Sequence, residues 1–153
     1  YNLKWDLAVT AIMGAGFLGT EAFESRIAST SCRWCGVNSF DNWGHQNLKW
    51  SNKNAANITS HVTAFALAPM FAFGLQAFAS SREDRLGEFP INALLITEAT
   101  SVAAMFTQIL KFSTGRQRPL SHYDGEGASN TSFCSGHTTI AFALAVSSGM
   151  IAS

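Results

Sequence analysis

Two short blocks near the C-terminus hold the residue types best suited to chemistry. Lys111 is followed, after six intervening residues, by Arg118-Pro119, and Ser135-Gly136-His137 stands at the mouth of an uncharged run. An arginine offers a planar fork that matches phosphate oxygens, and a lysine a mobile point charge. Serine is a favoured residue at the start of a helix. A helix start presents free backbone N–H groups and the positive end of the helix dipole, which together suit an anion. A histidine in that first turn can hand a proton to a leaving group. Two cations, a helix start and an acid are the parts needed to hold a phosphate-sized anion and protonate it. Either block alone has a plainer reading, as a basic flank at a helix end or as a polar first turn.

The elements that must position these blocks are apolar helices. Leu7 to Thr20 lacks Asp, Glu, Lys and Arg, and its Gly14, Gly16 and Gly19 form a small-residue face. The same is true of Ile58 to Ser81, where Pro69 and Gly74 predict a kink. Phe89 to Leu110 holds one charge, Glu98, and Thr138 to Ser153 holds none. About 20 residues are needed to cross a bilayer, a length the second and third runs reach. The links are Glu24 to Asn57, long and polar, Ser80 to Glu88, a short charged turn, and Leu120 to Thr131, a loop by its Gly, Ser, Asp and Asn content. Period-two alternation is scarce, so strands are not expected. Gly115 and Pro119 argue against an unbroken helix from Lys111 to Arg118.

Taken in this order, the blocks resemble the type 2 phosphatidic acid phosphatase superfamily, which also holds bacterial acid phosphatases and vanadium haloperoxidases. Its first block, Lys, six residues, Arg-Pro, is matched by Lys111, Arg118 and Pro119. Its second, Pro-Ser-Gly-His, is matched by Ser135, Gly136 and His137, with Cys134 in place of the proline. The resemblance implies that Lys111, Arg118, Ser135 and Gly136 bind phosphate oxygens and that His137 protonates the leaving group. It covers roughly Ile58 to Ser153, with Leu7 to Thr20 as a first helix. The family's third block, Ser-Arg, five residues, His, three residues, Asp, supplies a nucleophilic histidine. Ser25-Arg26 and Ser81-Arg82 are followed at its histidine position by Cys32 and Glu88, so that block does not occur here.

Composition sets outer bounds. The 153 residues are about one domain, and net charge is zero, with no basic stripe to suggest a nucleic-acid partner. Charged residues make up 13%, about half the usual share, as expected where charge is costly to bury in lipid. The chain opens on Tyr1, and the apolar run to Ser153 ends without a charged flank, which reads as a chain cut inside or just after its fourth helix.

Several smaller signals have competing readings. Gly14, Gly16 and Gly19 fit the dinucleotide-binding spacing, but helix packing is favoured because no second strand follows. Cys32-Arg-Trp-Cys35 is read as a local disulfide or free thiols, ahead of a zinc set completed by Cys134 and His137. Glu98 is read as a hydrogen-bonded strut. His45, His61 and His122 are read as solvated or boundary residues. Asn57-Ile-Thr59 and Asn130-Thr-Ser132 fit glycosylation sequons.

The sequence therefore predicts an all-α chain, one helical domain over residues 1–153, forming four membrane-embedded helices of a six-helix phosphatase-type bundle. The expected function is hydrolysis of a phosphate monoester or pyrophosphate, on a phosphorylated lipid, with no metal and no cofactor. Its phosphohistidine nucleophile is expected outside this chain, and the site is expected on the periplasmic, extracellular or lumenal side. Two alternatives remain open: a non-catalytic subunit of a larger membrane assembly, and a vanadate-dependent haloperoxidase-like site.

Overall fold

The computed structural model describes residues 2–124 and 130–152. Among these the chain is all-helical, and the only strand-like pairing is a single parallel bridge between Trp34 and Arg116. The four apolar runs become α1 (Leu3–Ala22), α4 (Lys53–Arg82), α5 (Phe89–Thr114) and α7 (Gly136–Ala152). Three shorter helices differ from the expected loops. α2 (Glu24–Ile27) and α3 (Ser39–Asn47) lie in the long polar link, and α6 (Pro119–Asp124) takes the start of the loop before α7. The rest of that loop, residues 125–129, lies outside the described residues.

Local chemistry explains the helix ends. Asn38 and Asp41 form a reciprocal capping box at the start of α3, each side chain accepting from the other's backbone N–H. Asn52 accepts from the Ala55 N–H to start α4. α5 stops at Gly115, whose left-handed φ of 56° is cheap only for glycine, and whose N–H closes on the Lys111 carbonyl. Pro69 cannot donate to the turn before it, and the chain there widens into a π-helical segment, Thr63–Leu67, inside the otherwise continuous α4.

α5 is the central helix. It packs against α1 on one side and α7 on the other, and α4 closes against α7. The small-residue face of α1 lies on α5: a methyl at Gly14 would sit 3.6 Å from the Ser101 hydroxyl, and one at Gly16 would sit 3.2 Å from the Met105 sulfur. Those two glycines therefore serve helix packing within one helix, not a phosphate loop. The core is a narrow seam of Ala72, Ile96, Ala104, Ile140 and Leu144. Far more large apolar side chains face outward, among them Trp5, Phe71, Phe106, Phe142 and Met150. Two helical stretches, Lys53–Arg82 and Leu86–Thr114, are long and apolar enough to cross a membrane. Glu98, the one charge of the third apolar run, is half-buried on α5, and no strut partner for it is found among the described residues.

Ile96 is the largest apolar side chain fully enclosed by this seam. Ile96→Ala should cost about 2–5 kcal/mol in denaturant titration. Phe106→Ala, on the outward face of the same helix, should cost no more than about 0.5 kcal/mol.

Candidate functional site

The two sequence blocks meet at one end of the bundle, because α1 and α5 finish there and α7 starts there. Lys111 lies in the last turn of α5, where the negative end of the helix dipole favours a cation. It is buried, with only 7% of its surface exposed. Gly136, in the first turn of α7, brings its ammonium close: a methyl at that glycine would sit 3.4 Å from Nζ. Ser135 stands just before the helix. Its hydroxyl accepts from the Thr138 N–H at 3.4 Å, and its carbonyl accepts from the Thr139 N–H at 3.0 Å, as a capping residue should.

Both cations already face carboxylates. Glu21, near the end of α1, places Oε2 3.9 Å from Lys111 Nζ and accepts from the Gln108 amide at 2.5 Å. Arg118, beyond α5 and about half-exposed, has Nη2 3.5 Å from Glu24 Oε1 and donates to the Thr131 hydroxyl at 3.4 Å. Thr131 in turn donates to Glu24 at 2.5 Å. An incoming anion must therefore compete with Glu21 and Glu24. Neither acidic residue was singled out from the sequence, since a lone glutamate near a helix end carries no signature.

His137 is the second residue of α7, at the polar mouth of its apolar run. Its imidazole is held below the usual histidine value of 6.5. Burial is the main cause, followed by the charges of His61, Lys111 and Arg118, with Glu21 opposing them. The two sequence blocks are thus close enough for their charges to act on one imidazole. His61, read from the sequence as a solvated or boundary residue, is exposed, and it is also paired: its Nδ1 lies 3.2 Å from His137 Nε2. It sits on α4, 76 residues away, and no local pattern marks it.

A hydrogen-bonded layer fixes the geometry between the blocks. The loop entering α7 lies along the segment leaving α5, with Ser132 N–H donating to the Arg116 carbonyl at 3.0 Å. On the other side, the Cys32–Cys35 disulfide closes a tight loop. From that loop Arg33 N–H donates to the Gly115 carbonyl at 3.0 Å, and Gln117 N–H donates back to the Trp34 carbonyl at 3.0 Å. The Arg116 guanidinium stacks 5.0 Å above the Trp34 ring and reaches Asp41 Oδ2 at 2.5 Å. Cys134 is a free thiol, and among the described residues no cluster of three or more metal-ligating side chains occurs. Asn130 is buried and donates its amide to the Ser29 carbonyl at 2.7 Å, so its sequon is closed to glycosylation in the fold.

Beside Ser135, between α5 and α7, runs an open, mainly apolar groove of about 460 Å³, lined by Ala103, Phe142, Ala143 and Val146 among others. Comparison of the chain with protein-family models, curated protein sequences and solved structures gave no significant match.

The Asp41 carboxyl is held below its ordinary value of 3.8, chiefly by the hydrogen bond from Arg116 and then by the Asn38 N–H, against the effect of burial. A depressed carboxyl contributes stability that is complete above 3.8 and is lost as pH falls through the lower, folded-state value. Asp41→Asn should therefore cost about 2 kcal/mol at neutral pH. Denaturant titrations should show the gap to wild type closing only in acid, below about pH 4.

Proposed function

We propose that this chain supplies the phosphate-binding and proton-donating part of a membrane-embedded hydrolase of the type 2 phosphatidic acid phosphatase kind, acting on a phosphate monoester or pyrophosphate carried by a lipid. The observation that carries the reading is the buried Lys111 ammonium set against Gly136, at the N-terminus of α7, with His137 beside it. A buried cation facing a helix start is a built place for a multiply charged anion, and the adjacent imidazole is an acid within reach of it.

In this reading Lys111 and Arg118 take the equatorial oxygens of the phosphoryl group and balance the charge that grows there in the transition state. First-turn N–H groups of α7 and the Ser135 hydroxyl complete the cradle. His137 gives its proton to the leaving oxygen as the phosphorus–oxygen bond breaks. The third-block histidine that this reading takes as nucleophile is not among the 153 residues. The outward-facing aromatic and aliphatic side chains, together with the two long apolar helices, support a bilayer setting. The groove beside Ser135 is where an acyl chain would run from a bound headgroup. The second reading is a structural subunit retained for packing.

Direct anion binding separates the two readings without requiring turnover. Orthovanadate or orthophosphate should bind the protein, with Lys111→Ala and Arg118→Ala each weakening it at least about tenfold. Glu24→Gln should tighten binding by roughly two- to fivefold, by removing a competing carboxylate. His137→Ala should leave the anion bound yet slow turnover of the complete enzyme by about 10²–10⁴-fold. A wild-type protein that binds neither anion at millimolar concentration would sink the phosphatase reading and leave the structural one.

A further inference from the structure

An anion cradle with an acid does not by itself require a second histidine, yet His137 Nε2 meets His61 Nδ1 at 3.2 Å. We propose that His61 and His137 form one proton-sharing unit, which draws a single proton from solvent when a tetrahedral dianion enters beside Lys111. This rests on the phosphate-binding reading above and adds a positioning residue to it.

The geometry limits what the pair can do. The two rings lie 4.7 Å apart at 75°, and one nitrogen of each faces the other. With one proton between those nitrogens, one imidazole donates and the other accepts. With a proton on both, two N–H groups point at each other, so the geometry accommodates one proton between the rings and not two. Phe65 holds both rings in place, stacking on His61 at 5.9 Å and meeting His137 edge-on at 5.4 Å.

The charges that face His137 come from every side. Lys111 projects from α5, Arg118 from the segment after it, Glu21 from the end of α1 and His61 from α4. In the empty site burial, and then the charges of His61, Lys111 and Arg118 against that of Glu21, disfavour the charged imidazole. A dianion beside Lys111 and Arg118 cancels that field and makes the imidazolium the favoured form. Because Nε2 of His137 is engaged by His61, the proton handed to a leaving oxygen departs from Nδ1. The leaving group then goes as the alcohol and the pair returns to neutral.

Sulfate is a suitable probe, because it is a tetrahedral dianion with no titratable proton near neutral pH. Calorimetric titration in two buffers of different protonation enthalpy, near neutral pH, gives the protons taken up per sulfate bound. Wild type should take up close to one proton, and never more. His61→Leu removes the acceptor and should cut that uptake by at least half. His61→Asn, whose amide oxygen can accept at about the Nδ1 position, should restore it, with circular dichroism confirming intact helices in each variant. The inference is overturned by full uptake in the Leu variant, by sulfate binding to wild type without uptake, or by uptake of two protons. Failure of wild type to bind sulfate at all overturns the phosphate-binding reading, and this inference with it.

Discussion

A buried lysine is the constraint on which this end of the molecule depends. Lys111 is almost fully enclosed, and taking an ammonium out of water costs several kcal/mol unless opposite charge or hydrogen-bond acceptors repay it. The surroundings are arranged accordingly. The last carbonyls of α5 present the negative end of a helix dipole, and Glu21 stands 3.9 Å away, itself held by Gln108. At 3.9 Å the ion pair is a long one, and the helix end supplies further compensation. Gly136 matters for the same reason: any larger residue there would interpose side-chain atoms between the ammonium and the first turn of α7.

Holding Lys111 beside α7 requires that two segments joined by a loop keep their distance, and apolar packing alone is too thin for that. The buried seam is only five residues wide, while the layer at the bundle end is rich in directional bonds. Gly115 links the two. Its left-handed turn ends α5, turns the chain toward Arg118 and exposes a carbonyl that the disulfide loop grips through Arg33. Asp41 adds a third fastening, since the same carboxylate caps α3 and holds Arg116. Arg118, two residues past Arg116, follows this layer directly and starts α6, its carbonyl accepting from the His122 N–H at 3.1 Å.

The sequence made much of this legible because four of its features are local. Charge-poor runs mark α1, α4, α5 and α7, and Gly115 marks the end of α5 before Arg118. Ser135 marks the start of α7, and Cys32 and Cys35 are near enough to pair. Two kinds of feature escaped. α3 and α6 are short and polar, and they gain their stability from capping and from contact with each other, not from an apolar face. Glu21, Glu24 and His61 acquire their roles only through partners 76 to 107 residues distant. No window of sequence contains both members of such a pair.

Those long-range partners also decide how the site behaves when empty. Glu21 and Glu24 lower the net charge seen from solvent, while His61 gives His137 an acceptor that does not add a fixed charge. A carboxylate in the place of His61 would favour the charged form of the His137 imidazole. An imidazole brings no negative charge there. It orients His137 through a hydrogen bond. The end of the bundle is thus built from three matched pairs, Lys111 with Glu21, Arg118 with Glu24 and His137 with His61.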